Sequence, residues 1–222
     1  MGDEGSILGG QGNLIGEDTI YASILGGKDN KIQSGNWNSI AGGSDNFISG
    51  NYNTLLGGKD NKVFHSDGYS AITAGLSNEV YARSSAIIAG RDNEISGGNN
   101  EYLSSVIVAG KSNDIINSDD SSIGAGDDNE IVDSKTSSIA AGESNSLSGS
   151  WQSLIGAGSG IDLINSTGSA VVAGRNNEIT GSRYSSIIAG SGVSMVNSTG
   201  SAIVAGINNK ITGSRHSSIG AG

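Results

Sequence analysis

A repeat of 16 residues constrains the fold of this chain more than any other feature of the sequence. The second residue of each GG or AG pair is a glycine that marks the repeat, and from Gly110 to Gly222 each marker follows the previous one by 16 positions. The earlier spacings are 17, 16, 15, 17, 15 and 20. A fixed period of this kind is typical of proteins that stack one short structural unit per repeat.

Two aliphatic columns accompany each marker glycine, one three residues before it and one five residues after it. The columns lie eight residues apart, and Ser, Asn, Gly or Ala is common two positions from each aliphatic residue. This alternation is typical of short strands with one face turned inward, and one aliphatic residue per strand buries too little unless repeats stack about 4.8 Å apart. The sequence therefore predicts an all-β fold, a β-solenoid (β-roll) of 16-residue rungs with two short strands per rung. We expect about thirteen rungs in a single domain spanning residues 1–222.

Asparagine occurs three residues after most marker glycines. Stacked Asn side chains can hydrogen-bond from rung to rung and satisfy backbone groups in the turn, so the sequence predicts an internal Asn ladder. Ile161 and Val193 interrupt it, and each follows a glycine, which predicts a different turn type at these two places. The ladder residues are Asn13, Asn30, Asn46, Asn61, Asn78, Asn93, Asn113, Asn129, Asn145, Asn177 and Asn209.

Three further features concern the organisation of the chain. Residues 159–190 and 191–222 match at 23 of 32 positions, which indicates duplicated double repeats. A four-residue insertion lies within residues 96–104, and longer loops on a solenoid often carry recognition. Neither end of the sequence contains an obvious capping element, so we expect a segment of something longer, or an end that meets a partner.

The two outward strand faces differ in charge. Nine of thirteen residues that follow the Asn position are charged, whereas the position two before each marker glycine is never charged. A long apolar stripe favours self-association, although a modestly apolar exposed strand remains the alternative. The large residues of this predicted oligomer face are Leu8, Leu25, Leu56, Ile88, Val108, Val172, Ile188 and Val204.

Aromatic side chains collect in the turn after the second strand, with one more in the insertion. They either cover the edges of rungs or pack at a subunit boundary, or they stack on sugar rings of a host-surface glycan or receptor. The candidate ligand-binding residues are Tyr21, Trp37, Tyr52, Tyr69, Tyr102, Trp151 and Tyr184. His216 occupies the same turn.

Composition and spacing argue against several classes of function. A net charge of −10 disfavours nucleic acid and anionic membranes, and the apolar runs are too short for membrane insertion. The repeats do not keep the register of calcium-binding β-rolls, which leaves only loose cation binding by turn acids such as Asp29. The two histidines are far apart, and the serines recur with the repeat, so no catalytic triad is indicated; only a glycosidase carboxylate pair stays open. We expect no enzyme activity, no cofactor and no specific metal site.

The stretch NSIAGGSDNFISGNYNTLLGGKDN resembles the glycine-rich repeats of viral and phage tail-fibre proteins and, more loosely, the left-handed β-roll heads of trimeric autotransporter adhesins. The resemblance implies a homotrimeric, non-enzymatic element of an attachment fibre or adhesin, located extracellularly, at a cell surface or on a virion. AGRNNEITGSRYSSIIAG resembles the 16-residue repeats of bacterial ice-nucleation proteins, but lacks their Thr-x-Thr row. An ice-binding or ice-nucleating solenoid is therefore one alternative, and a self-assembling extracellular matrix fibril is another.

Overall fold

The computed structural model describes residues 4–65, 68–97 and 104–222, which divide into two compact units, residues 1–112 and 113–222. Each unit is built from short parallel strands, and no helix occurs among the described residues. Tyr102 and most of the predicted insertion, residues 98–103, lie outside the described residues. The all-β solenoid fold predicted from the repeat is confirmed, with about thirteen turns of about 16 residues.

The strands are numbered along the chain. In the first unit they are β1 (Ser6–Ile7), β2 (Leu14–Ile15), β3 (Ser23–Ile24), β4 (Lys31–Ser34), β5 (Ser39–Ile40), β6 (Phe47–Gly50), β7 (Thr54–Leu55), β8 (Lys62–His65), β9 (Ala71–Ile72), β10 (Glu79–Val80), β11 (Ala86–Ile87), β12 (Glu94–Ser96) and β13 (Val106–Ile107). In the second unit they are β14 (Asp114–Ile116), β15 (Ser122–Ile123), β16 (Glu130–Val132), β17 (Ser138–Ile139), β18 (Ser146–Ser148), β19 (Leu154–Ile155), β20 (Asp162–Ile164), β21 (Ala170–Val171), β22 (Glu178–Thr180), β23 (Ser186–Ile187), β24 (Ser194–Val196), β25 (Ala202–Ile203), β26 (Lys210–Thr212) and β27 (Ser218–Ile219).

Within each unit the strands form two parallel sheets. The odd-numbered strands make one, hereafter the odd-strand sheet, and the even-numbered strands make the even-strand sheet. The register pairs equivalent repeat positions, as in Ile24 with Ile40 and Ile131 with Leu147. Each strand therefore completes its hydrogen bonding with the turns before and after it, because two to four residues per strand cannot form a stable sheet alone.

The apolar core consists of the two predicted aliphatic columns. Ile24, Ile32, Ile123 and Ile131 are completely buried, as are most of their equivalents in the other turns. Burying an Ile side chain contributes about 1.5–3 kcal/mol, and β-branched residues suit the pleated strand on which they lie. Stacking these columns supplies the apolar contacts that a single turn lacks.

Polar ladders share the interior with the aliphatic columns, and most of them were not predicted. In the first unit Asn30 Nδ2 donates to Asn13 Oδ1 at 3.1 Å and to the carbonyl of Gly43 at 3.0 Å. In the second unit the amide of Ser134 donates to Ser118 Oγ at 3.1 Å, and the amide of Ser150 donates to Ser134 Oγ at 3.0 Å. The inward neighbours of the aliphatic residues are mainly these Asn and Ser side chains.

Residues with a left-handed backbone close the turns. The residue two positions after the marker glycine has a positive φ in each described turn, for example 58° at Asp45 and 52° at Asn176. Asp and Asn adopt this conformation more readily than other side chains, which explains the turn acids without invoking a metal. Gly160 keeps the left-handed backbone with a φ of 63°, but the marker glycines of the two interrupted turns, Gly158 and Gly190, have φ of 148° and 156°, against 92° to 129° at the marker glycines from Gly10 to Gly142 and at Gly174 and Gly206, so these two turns differ from the others at the marker glycine. Ile161 is simply buried in the place of an Asn.

Candidate functional site

The outer face of the odd-strand sheets carries exposed apolar side chains in both units. All eight residues of the predicted oligomer face are between 41% and 73% exposed. Backbone hydrogen bonds between turns, such as Leu25 N to Ile40 O at 3.0 Å, hold these positions in register. Each unit therefore presents an apolar stripe that is fixed by the sheet beneath it and has no covering segment among the described residues.

The outer face of the even-strand sheet in the first unit is charged and partly aromatic. Lys62 Nζ lies 2.6 Å from Glu79 Oε1, and the hydroxyl of Tyr81 donates to Glu79 Oε2. The rings of Phe47, Phe64 and Tyr81 follow one another with centroids 5.0 Å apart. This face combines ion pairs with ring stacking, as expected for a surface in contact with water.

The protonation of Glu79 and Tyr81 is coupled through their hydrogen bond. Partial burial raises the pKa of Glu79, but hydrogen bonds from Lys62 and Tyr81 and the Lys62 charge outweigh it, so the pKa is lowered overall. Burial, the hydrogen bond to Glu79 and the charges of Glu79 and Glu94 raise the pKa of Tyr81 to about 12. Both groups are held in one protonation state near neutral pH, which is suited to a structural cross-link.

Four of the predicted ligand-binding aromatics form one ladder in the first unit. Tyr21 and Trp37 stack with centroids 4.2 Å apart, Trp37 and Tyr52 are 6.5 Å apart with nearly parallel planes, and Tyr52 and Tyr69 are 4.8 Å apart. All four have left-handed backbones, with φ between 55° and 60°. A bulky residue is strained in this conformation, so ring stacking offsets a local cost. Each ring lies against the ring of the next turn, so the ring faces inside the ladder are occupied. This favours the interpretation that the aromatic residues cover the edges of the turns.

Trp151 has a different setting in the second unit. Its column contains Lys135 one turn before and Thr167 one turn after, each joined to it by a parallel bridge. Trp151 is 59% exposed, and no other described aromatic ring stacks on it. It borders a hollow of about 390 Å³, lined by Lys135, Thr136, Trp151, Gln152 and Thr167.

Tyr184 lies close to this hollow but in the neighbouring column, the one that contains Thr136, Gln152, Gly168 and Tyr184. A Cβ at Gly168 would lie 2.7 Å from Tyr184 Cδ1 and 2.9 Å from Cε1, so the Tyr184 ring rests against the glycine next to Thr167. The structure thus places two sequence-predicted aromatics, Trp151 and Tyr184, on one side of the second unit. They lie in neighbouring columns of the turn after the second strand.

Sequence reasoning missed the polar residues of the hollow. Lys135 and Thr167 lie 16 positions before and after Trp151, and Thr136 lies 16 before Gln152. Projecting the repeat around an unpaired aromatic residue would have found all of them, because equivalent positions stack in a solenoid. Lys135 Nζ lies 2.9 Å from Asp119 Oδ2, so its charge is already opposed by a carboxylate.

The described residues give no sign of a metal centre or of a membrane span. No group of three or more His, Asp or Glu side chains converges on a common point in the described part of the chain. Nor does that part contain a helix of the length and apolar character that crossing a bilayer requires.

Comparisons with known proteins leave the chain without an assigned family. No protein-family model matches it, and no curated protein matches its sequence. Among solved structures, the crystal structure of the polySia-specific acetyltransferase NeuO aligns over 98% of this chain and 75% of its own, with 17% identity and a TM-score of 0.14. A TM-score this low carries no conclusion about fold or activity.

Proposed function

We propose that this chain is a structural repeat segment of an extracellular or virion attachment fibre or adhesin, which supplies length and a regular surface and acts without catalysis. The observation that carries the proposal is the exposed apolar stripe on the odd-strand sheet of each unit. Large aliphatic side chains at equivalent positions of successive turns resemble one side of a protein interface more than a solvated surface.

We propose further that copies of the chain associate through these stripes as a homotrimer. The stripe carries no charge, whereas the even-strand face carries most of the charged strand residues. A second copy of the same uncharged surface is a matching partner, because self-association removes apolar area from water without burying an unpaired charge. Cyclic symmetry would repeat one interface around an axis and leave the charged faces outside.

Molar mass by light scattering tests this association. We expect a trimer for the native chain, and a monomer for Val172→Asp combined with Ile188→Asp, which places two carboxylates on the stripe. The matched control is Ser146→Asp combined with Ser194→Asp, which adds the same charge to the outer face of β18 and β24 in the same unit. A soluble native monomer, or dissociation of the control alone, would contradict the proposal.

One observation favours ice binding as a second candidate. The outward residues of the odd strands are also small and uncharged, as in Ser23, Ser39 and Thr54 beside Leu25, Ala41 and Leu56. Rows of such residues at the regular spacing of a parallel sheet form the kind of flat, weakly hydrated surface on which water can be ordered. Droplets that freeze at a raised temperature with the native chain, but not with the Val172→Asp and Ile188→Asp variant, would favour this candidate over an attachment fibre.

A further inference from the structure

We propose that the hollow beside Trp151 binds one neutral pyranose unit of a glycan, with the Trp151 indole stacked on the apolar face of the sugar ring. This inference rests on the proposed role in attachment, because it identifies where that surface would recognise its receptor. Of the seven candidate aromatic residues, it assigns sugar stacking to Trp151, with Tyr184 as its aromatic neighbour.

The availability of ring faces separates Trp151 from the aromatic ladder of the first unit. In the ladder, Trp37 has the Tyr21 ring at 4.2 Å in the turn before and the Tyr52 ring at 6.5 Å in the turn after, so a sugar would compete with neighbouring rings for both of its faces. Trp151 is flanked in its column by Lys135 and Thr167, whose side chains leave indole surface exposed. Sugar C–H groups pack against the face of an indole, so an accessible Trp face is the main requirement for stacking.

The polar lining matches the hydroxyl pattern of a pyranose. The Gln152 amide supplies both donors and an acceptor, and the hydroxyls of Thr136 and Thr167 can donate or accept. A volume of about 390 Å³ lies within the range of small-ligand sites and accommodates a single ring with its substituents. An apolar wall with a few polar groups around it is the usual composition of such a site.

Charge favours a neutral sugar over an acidic one. Lys135 is the cation that lines the hollow, and its ammonium group lies 2.9 Å from the carboxylate of Asp119. A carboxylated sugar would have to compete with Asp119 for that ammonium group, in a chain with a net charge of −10. Electrostatic repulsion therefore acts against acidic glycans at this place.

The backbone at the hollow is left-handed, as it is at the equivalent positions of the other turns in the second unit. Thr136 has a φ of 54° and Gln152 one of 52°, although Thr is β-branched and poorly suited to the left-handed region. The equivalent residues Asp120, Tyr184 and His216 have φ between 51° and 54°, so this conformation belongs to the repeat and fixes the direction in which the two side chains project. Gly168 in the same column leaves room for the Tyr184 ring, which extends the aromatic surface beyond Thr167.

The test is binding of the full chain to an array of neutral and sialylated oligosaccharides, followed by titration with the neutral oligosaccharide that binds most strongly. In the Trp37→Phe variant Trp151 is the sole tryptophan, so we expect saturable fluorescence changes on titration. Trp151→Ala should weaken binding on the order of tenfold or more, the change expected when a stacking contact is lost. The matched control Trp37→Ala should bind as the native chain does.

Each alternative result overturns the inference. Absence of binding to any neutral glycan, binding unaffected by Trp151→Ala, or a loss caused by Trp37→Ala alone would do so, as would binding confined to sialylated glycans. Circular dichroism of both variants verifies that the fold is intact. Light scattering separates the two proposals: a native chain that assembles but binds no sugar refutes only the hollow, whereas a native monomer refutes the fibre association.

Discussion

Asn129 donates two hydrogen bonds to the side-chain oxygen of Asn113, one from its own side-chain amide at 2.9 Å and one from its backbone amide at 3.2 Å. Its Nδ2 also donates to the carbonyl of Gly142 at 3.0 Å, and its own oxygen accepts from Asn145 in the following turn. One buried side chain therefore connects three successive turns. If the Asn129 side chain were removed, several buried donors and acceptors would lose their partners, and a single water molecule could not satisfy all of them.

We expect Asn129→Ala to lower the free energy of unfolding by about 2–4 kcal/mol, since several buried donors and acceptors lose their partners together. Chemical denaturation of the variant measures this change. A loss below about 0.5 kcal/mol would show that the ladder contributes little to stability.

The natural interruption of the ladder provides a matched control. Ile161 is buried where an Asn would stand, and its backbone amide still donates to Asn145 Oδ1 at 3.1 Å. In Ile161→Asn the new side-chain amide would face the same Asn145 oxygen. We therefore expect the gain in hydrogen bonding to offset most of the lost apolar burial, so that stability changes by less than about 1 kcal/mol.

The aliphatic columns give a second prediction. Ile139 is completely buried, and neighbouring Ser138 points outward from the same strand, β17. Ile139→Asp should unfold the adjacent turns, because the substitution places an unpaired charge in the interior. Ser138→Asp should leave the melting temperature within a few degrees of the native value. Equal melting curves for both variants, followed by circular dichroism, would show that the strand register is wrong.

The sequence was sufficient to predict the columns but not everything that lies between them. The repeat predicted that Ile139 is inside and Leu56 outside. Both the alternation along a strand and the spacing along the chain can be recognised from residue types alone. The serine ladders were not predicted, because a serine in a turn reads equally well as a surface residue. Only the structure shows that Ser134 and Ser150 point inward and bond to the next turn.

The candidate site was harder to predict, since it depends on where individual rings point. Trp37 and Trp151 are equivalent as aromatic residues near a turn, yet one lies in a stacked ladder and the other borders a hollow. A shift of one position within the repeat separates their columns, and that shift decides which neighbours they have. Counting back from the marker glycines separates the two in the sequence, since Trp37 lies six residues before Gly43 and Trp151 seven residues before Gly158, but the side-chain contacts that follow from this shift come from the structure.

The Lys62, Glu79 and Tyr81 cluster predicts a dependence on pH. The pKa of Glu79 in the folded protein is below its ordinary value of 4.5, so its contribution to the free energy of unfolding is present above pH 4.5 and is lost as the pH falls through the folded pKa. The pKa of Tyr81 is raised from 10.0 to about 12 in the folded protein, so its contribution to the free energy of unfolding is present below pH 10 and is lost as the pH rises through about 12. Chemical denaturation at a series of pH values should show both decreases in the free energy of unfolding.

Single substitutions assign the two losses to their groups. Glu79→Gln should remove the Glu79 contribution to the loss of stability in acid, and Tyr81→Phe should remove the Tyr81 contribution to the loss of stability in alkali. Lys62→Met should reduce stability at neutral pH by only about 0.2–1 kcal/mol, because the ion pair is partly exposed. An unchanged acid profile in Glu79→Gln would show that other carboxylates dominate acid unfolding.

The strain at Thr136 allows stability and sugar binding to be separated. Its φ of 54° is unfavourable for a β-branched residue and is readily adopted by glycine. We therefore expect Thr136→Gly to stabilise the fold by about 0.5–1 kcal/mol, while the same change at Thr180, which lies in strand β22 and has no positive φ, should destabilise it by a similar amount. If the hollow binds sugar as proposed, Thr136→Gly should also weaken binding, because it removes a hydroxyl from the lining. A variant that is more stable and binds less would show that the Thr136 hydroxyl contributes to binding at a cost in stability. A variant that is more stable and binds equally well would show that the hydroxyl makes no contact with the ligand.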